Sequence, residues 1–349
     1  MIVIHWRFLI VLVSILLTDG AQQLWAQSPP LHKREEALPE IIKTADNISS
    51  VRSLLIQQHG KLICEEYFDG RDPKRAFNIK SASKSIISLL VGIALEEKLI
   101  PSIDETLGNY FPEYFKTTSN PKKENITIRQ MLSMQTGLET TSFYNYGAWV
   151  ISDDWIEFQL NQPFVEEIGG KMVYSTGTSH LLSVIIARAS GMSTRQFANQ
   201  YLFKPLDIRI GGWDKDPNGY YMGGNNLAMK PSDMLKIGQM ILNGGTYNGQ
   251  HIISSDWLAA SFSTYTRSNF NPYNYGYMWW NKKAGDYTLY FAWGFGGQYI
   301  FIIPQLDAVV VLTSSLASAT QRRSYKKPVF NLIETYIIPL LDNMPENDY

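Results

Sequence analysis

Ser81 and Lys84 stand three residues apart at the head of "SASKSIISLL", a stretch that continues as a nearly unbroken apolar run to Leu95. Residues three apart on a helix share a face and lie within side-chain reach. A serine near a helix N-terminus meets free backbone N–H groups and the positive end of the helix dipole, and both favour developing negative charge. A lysine one turn further in, desolvated by the apolar run, has its charged form disfavoured, so its neutral amine could take the serine proton. Ser81 would then be a nucleophile and Lys84 its base. The same two residues also suit a plain structural role, with Ser81 capping the helix and Lys84 snorkelling to solvent. The spacing recurs at Ser119 with Lys122 and at Ser324 with Lys327, but only Ser81 opens a helix that is apolar on nearly every face.

Other chemistries find less support. There is no G-x-S-x-G elbow, no H-E-x-x-H and no Cys/His cluster, so neither an α/β-hydrolase site nor a metal site is implied. No glycine-rich phosphate loop follows a strand, so no cofactor is implied either. Of the five histidines, His5, His32, His59 and His251 fall in a leader, a linker, a turn and a loop; His180, inside an apolar helix, fits a satisfied core residue better than a base. The net charge of −1 gives no field that would attract nucleic acid or an anionic membrane. Arg7 followed by "FLIVLVSILL" and small or polar residues reads as an export signal over residues 1–26, its apolar core too short for a stable membrane span. An uncleaved anchor is the alternative; either way the expected location is exported, periplasmic or secreted. Cys64 is the single cysteine, so no intrachain disulfide forms and packing alone must hold the fold.

The elements that must position this pair follow from periodicity. A linker and a helix near 36–45 fill residues 27–49. "SLLIQQHGKLICEEYF" is a hairpin about His59-Gly60. Ile79 to Leu95 is a central helix. Residues 103–244 are mostly helical, with a helix from Thr127 to a stop at Gly137, one closed by Gly191, one from Ser193 to before Pro205, and one from Ser232 to Gly244-Gly245. After 245, "YNYGYMWW", "YTLYFAW", "QYIFIIP" and "DAVVVLTSS" read as strands, and "KPVFNLIETYIIPLL" as a closing amphipathic helix. Strands at both ends with helices between predict an α+β fold: an antiparallel sheet flanked by helices, built from residues 50–102 and 245–345, with the helical region 103–244 inserted into one domain.

Six pieces in order carry a resemblance: "SASKSIISLLVGIAL", "ITIRQMLSMQTGL", "YSTGTSHLLSVIIARASG", "LFKPLDI", "GGNNLAMKPSDMLKIGQMILNGG" and "WGFGGQYIFIIPQLDAVVVLTS". Together they resemble the serine β-lactamase-like superfamily of class C β-lactamases, D-alanyl-D-alanine carboxypeptidases, related esterases and 6-aminohexanoate-dimer hydrolases, over residues 50–340. The resemblance implies Ser81 and Lys84 as the catalytic pair and Tyr174 as a third proton-handling group in the Y-x-N position, here Tyr174-Ser175-Thr176. It implies that the K-T-G strand falls on Phe295-Gly296-Gly297, where glycines let substrate backbone approach, and that the N–H of Gln298 joins that of Ser81 in an oxyanion hole. Phe295 departs from that pattern by offering neither cation nor hydroxyl to a substrate carboxylate, which argues against strong recognition of an anionic β-lactam or a D-Ala terminus and for an apolar or amphipathic substrate, unless another cation such as Lys230 or Arg267 substitutes. Tyr144, Tyr146, Trp149, Trp155, Trp279, Trp280 and Trp293 supply aromatic stock of which a few would wall a pocket. The expected activity is therefore an exported, metal-independent serine hydrolase of a small ester or amide. A β-lactamase or D-Ala-D-Ala carboxypeptidase acting on a peptide-like substrate is one alternative, and a non-catalytic ligand-binding member of the fold is another.

Overall fold

The structure, a computed structural model, describes residues 34–116, 120–315 and 325–343. The export signal expected over 1–26, His5, His32 and the linker up to residue 33 lie outside them, as do Ser119 and Ser324.

Strands β1 (Val51–Gln58) and β2 (Lys61–Tyr67) form the expected hairpin. His59 and Gly60 both take positive φ, 48° and 73°, the turn whose twist matches that of the strands it joins. The other six strands of the sheet come from the C-terminal part of the chain: β3 (Thr266–Arg267), β4 (Asn274–Tyr275), β5 (Trp280–Ala284), β6 (Tyr287–Gly294), β7 (Gln298–Ile303) and β8 (Ala308–Ser314). Strand β8 pairs antiparallel with β1, so both parts of the chain close one antiparallel sheet in the order β2-β1-β8-β7-β6-β5-β4-β3. The run "YNYGYMWW" is not one strand. It breaks after Tyr275 because Gly276 passes so close to the Ser261 carbonyl that a Cβ would sit 2.0 Å from it, and Met278 turns to a φ of 63°.

Strands β7 and β8 are buried along their whole length because helices cover both faces. On one face Phe330, from the closing helical segment, packs on Phe291, Tyr299 and Phe301. That segment is not a continuous α-helix; a π turn at Leu332–Ile337 separates Lys326–Asn331 from Ile338–Asp342. On the other face lies helix Pro231–Leu242, whose Gly238 allows contact so close that a Cβ would be 2.4 Å from Val309.

Three helices carry the site. Helix α1 (Ser83–Glu96), preceded by a 3-10 turn at Lys80–Ala82, is buried from Ser83 to Ala94, as an element apolar on all sides must be. Helix α2 (Ile128–Leu132) begins at the expected Thr127, which forms a capping box with Gln130, but ends well short of Gly137. It stops because Met134 takes a φ of 60°, and its carbonyl and sulfur then accept the N–H groups of Val173 and Ser175, fixing the chain on either side of Tyr174. Helix α3 (Thr176–Ser190) is capped by Ser175, closes at left-handed Gly191 and packs on α1. Among the described residues no helix is long and apolar enough to cross a membrane.

Candidate active site

Ser81 sits in the 3-10 turn and not at a cap. Neither flanking cap position makes a side-chain cap bond, and the hydroxyl that satisfies the Lys80 carbonyl is that of Ser83. The partner of Ser81 Oγ is Lys84 Nζ, 3.2 Å away. Lys84 does not snorkel; it is 1% exposed. Its Nζ also reaches Thr176 Oγ1 at 3.2 Å and the Gly224 carbonyl at 2.8 Å. These three acceptors match the three donors of an ammonium group. Desolvation nevertheless lowers the Lys84 pKa from 10.5 to about 7. In the neutral amine two N–H groups keep Gly224 and Thr176, and the lone pair faces the Ser81 hydroxyl.

Tyr174 completes the group. Its hydroxyl bonds Ser81, and Lys84 Nζ lies 5.0 Å from its ring centroid. Burial pushes the phenol above its ordinary value and the bond to Ser81 only partly offsets this, so the phenol resists ionisation despite its place beside a lysine. Trp280, Tyr275, Phe143 and Phe270 pack around its ring. Its carbonyl accepts the Thr140 hydroxyl at 2.6 Å, which anchors the main chain just before α3. Thr176, standing where the resemblance has asparagine, still meets the lysine and is itself held by Ser142 Oγ at 2.8 Å.

Ser81, Tyr174, Thr176 and Phe295 line one cavity of about 530 Å³, together with Lys80, Ser142, Phe143, Tyr146, Asn225 and Asn226. Lys80, Phe143 and Asn226 have positive φ values of 53°, 52° and 59°. Backbone conformations of this kind cost free energy in residues other than glycine and persist only where neighbours enforce them. Around Lys80 the enforcement is visible: Asn78 Oδ1 accepts the Lys80 N–H at 2.9 Å, Asn78 Nδ2 donates to Asn226 Oδ1 at 2.9 Å, and Ile79 N donates to the Leu227 carbonyl. The residues just before the nucleophile are thereby laced to the loop after Gly224. Gly224 has no room for a side chain, since a Cβ would lie 2.0 Å from Ser179 Oγ and 2.9 Å from Lys84 Nζ. His180 is buried away from this cavity. Its Nε2 bonds Asp216 at 2.8 Å and its Nδ1 accepts the Gly223 N–H at 3.3 Å, so it braces the loop that presents the Gly224 carbonyl.

The glycine hairpin differs from expectation. Gln298 is 1% exposed and its side-chain amide is spent on Ser314, donating to the carbonyl at 2.9 Å and accepting the N–H at 3.0 Å. Neither Gln298, Gly296 nor Gly297 lines the cavity; Phe295 does. Crowding at these glycines is protein against protein, for a Cβ at Gly297 would meet Ser314 Oγ at 2.6 Å and one at Gly294 the Ile79 carbonyl at 2.0 Å. Gly296 and Gly297, with φ of 85° and 105°, make the turn that carries Phe295 over Ser81. Lys230 and Arg267 are absent from the lining, and Lys80 is its cation. Of the aromatic stock, Tyr146 lines the cavity, held by Asn225 at 2.8 Å, whereas Trp149, Trp155, Trp279 and Trp293 are core and Tyr144 is exposed.

Comparison with known proteins agrees with this geometry. The family model described as Beta-lactamase matches residues 45–329. The 6-aminohexanoate-dimer hydrolase of Paenarthrobacter ureafaciens is 22% identical over 290 residues, 75% of this chain and 72% of the relative. Among solved structures, EstCE1, a hydrolase with promiscuous acyltransferase activity, superposes with a TM-score of 0.71 at 16% identity over 88% of this chain and 99% of its own. The octameric penicillin-binding protein homologue from Pyrococcus abyssi does so with a TM-score of 0.69 at 18% identity, over 89% of this chain and 77% of its own.

Proposed function

The chain belongs to the beta-lactamase family, and on that footing we propose that it is a serine hydrolase that cleaves a small ester or amide through an acyl-enzyme on Ser81. The observation that carries this reading is the 3.2 Å contact between Ser81 Oγ and a buried lysine whose amine is half-neutral near pH 7, at the wall of an open cavity. Ser81 Oγ bonds to the substrate carbonyl carbon as its proton passes to Lys84. The oxyanion that forms is received by the backbone N–H of Ser81 and by one from the glycine hairpin, for which Phe295, the hairpin residue lining the cavity, is our choice. Tyr174, a neutral donor bonded to Ser81, relays the proton to the departing alcohol or amine as the carbonyl re-forms. Water then adds to the acyl carbon as the same amine takes one of its protons, and the amine returns that proton to Ser81 Oγ as the acyl–oxygen bond breaks, releasing the acid and the free serine. We place the enzyme outside the cytoplasm on the strength of the leader that follows Arg7.

A fluorophosphonate probe with mass mapping tests the nucleophile. Label on Ser81, lost in Ser81→Ala, is expected; no label, with ligand affinity unchanged in Ser81→Ala, would make the protein a binding member of the fold. Kinetics on p-nitrophenyl esters, a chromogenic cephalosporin and a D-Ala-D-Ala peptide then assign the substrate branch. The ester is expected to be preferred, and preferred turnover of the cephalosporin would overturn the substrate choice.

A further inference from the structure

Lys80 immediately precedes the nucleophile and has no place in the proton transfers above. It is the one charged side chain in the cavity lining. Among the described residues its ammonium has no hydrogen-bond acceptor and no ion-pair partner; the carboxylate that acts on it from a distance, Asp214, is engaged by Asn226 Nδ2 at 2.8 Å. Burial pushes its pKa below the ordinary lysine value, and Asp214 partly restores it. The group is therefore a half-buried amine at the cavity wall with no ion-pair partner among the described residues, Asp214 acting on it only from a distance. Its backbone has a φ of 53°, a conformation that glycine adopts without strain, yet here a long cationic side chain occupies it, held by the Asn78 side chain. The walls around it are apolar or neutral: Phe143, Tyr146, Phe295 and the two asparagines. A charge beside such walls attracts an opposite charge more strongly than it would in water.

Resting on the hydrolase reading, we infer that Lys80 is a specificity residue whose ammonium pairs with a carboxylate on the substrate. The favoured substrates are then esters or amides that carry a free carboxylate a short chain away from the scissile carbonyl. Lys80 and Ser81 line the same cavity with Cα atoms about 3.8 Å apart, so a substrate carbonyl at Ser81 and a carboxylate at the Lys80 ammonium would belong to one small molecule. The cation that Phe295 fails to supply at the hairpin is thus supplied from the other side of the serine.

The test compares hydrolysis of mono-p-nitrophenyl adipate with that of its neutral methyl ester, corrected for spontaneous hydrolysis, in wild type, Lys80→Gln and Lys80→Arg. Wild type is expected to favour the half-acid about tenfold in kcat/KM, as a single part-exposed charge pair allows. Lys80→Gln should lose that preference through KM while its rate on the methyl ester stays within about twofold, and Lys80→Arg should restore it. Added salt should erode the preference in wild type and leave Lys80→Gln unaffected. An unchanged preference in Lys80→Gln, or equal loss on both esters, would overturn the inference. Labelling of Ser81 by fluorophosphonate in the same variants separates the two readings. Label without a carboxylate preference defeats the Lys80 assignment alone, and absence of label defeats the hydrolase reading and this inference with it.

Discussion

Replacing Lys84 by methionine should abolish activity and at the same time make the protein relatively more stable in acid. The folded protein holds the Lys84 pKa at about 7 against an ordinary 10.5, with desolvation as the cause. Between those two values the unfolded chain binds a proton that the folded chain releases, so wild-type stability rises with pH across the window. The charged, buried form carries its full penalty below pH 7, and the penalty disappears above 10.5. At about 1.4 kcal/mol per pH unit, this linkage amounts to about 4 kcal/mol between pH 6 and pH 10. Methionine does not titrate, so the stability difference between variant and wild type should move by about that amount over the range, toward wild type as pH rises. Methionine also leaves the Gly224 carbonyl and the Thr176 hydroxyl without their donor, a cost of about 1–3 kcal/mol each that hardly depends on pH. The pH slope is therefore the readout, and the absolute difference is not. Urea denaturation at intervals from pH 6 to 10 measures it. The same pKa governs acylation: kcat/KM for a neutral p-nitrophenyl ester should fall about tenfold per pH unit below 7 and level off above it. A stability difference that is flat from pH 6 to 10, or a rate that does not bend between pH 6 and 8, would refute a neutral lysine base.

Two further substitutions probe the surroundings of that amine. Tyr174→Phe keeps the ring among Trp280, Tyr275 and Phe270 but removes the hydroxyl bonded to Ser81; kcat should drop about a hundredfold or more with KM little changed, as steady-state kinetics on the methyl ester will register. Gly224→Ala drives a Cβ into Ser179 and Lys84, so denaturation should reveal a loss of about 1–3 kcal/mol and the fluorophosphonate should label Ser81 at least tenfold more slowly; a variant as stable and as reactive as wild type would remove Gly224 from the site.

The parts of this architecture that the sequence makes legible are those set by neighbours in the chain. The hairpin at His59-Gly60, the caps at Thr127 and Ser193, the stop at Gly191 and the all-round apolar character of Ser83 to Ala94 depend on residues within one or two turns. The Ser81–Lys84 contact has the same local origin, because helix geometry alone brings residues three apart together. What decides the state of Lys84 is not local. Thr176 and Gly224, the acceptors that fix its amine, lie 92 and 140 positions away, and no periodicity announces them. Only the crowded glycine pair in "YYMGGNN" marks the second, and its meaning depends on knowing that Ser179 and Lys84 crowd it. The glycine hairpin is only half legible for a related reason: the glycine pair locates the hairpin but not which of its residues faces the cavity, and that residue is Phe295.

Lys80 shows how far residue type alone falls short of assigning a role. Two lysines flank the same serine, one before it and one a turn after, and in sequence they are the same aliphatic amine. Lys84 is sealed, 1% exposed, with three acceptors around a charge that desolvation opposes. Lys80 opens to the cavity and has no ion-pair partner among the described residues. Were both ammonium groups permanently charged, they would repel across the nucleophile and no base would remain; were both neutral, nothing in the lining would hold an anion. Separating the two by burial places one amine against Ser81, with its pKa near neutrality, and leaves the other at the cavity wall, where the proposed substrate carboxylate would meet it. Lys80 stands at the cavity wall in a left-handed turn, and that turn rests on Asn78, whose carboxamide holds it to the Asn226 loop.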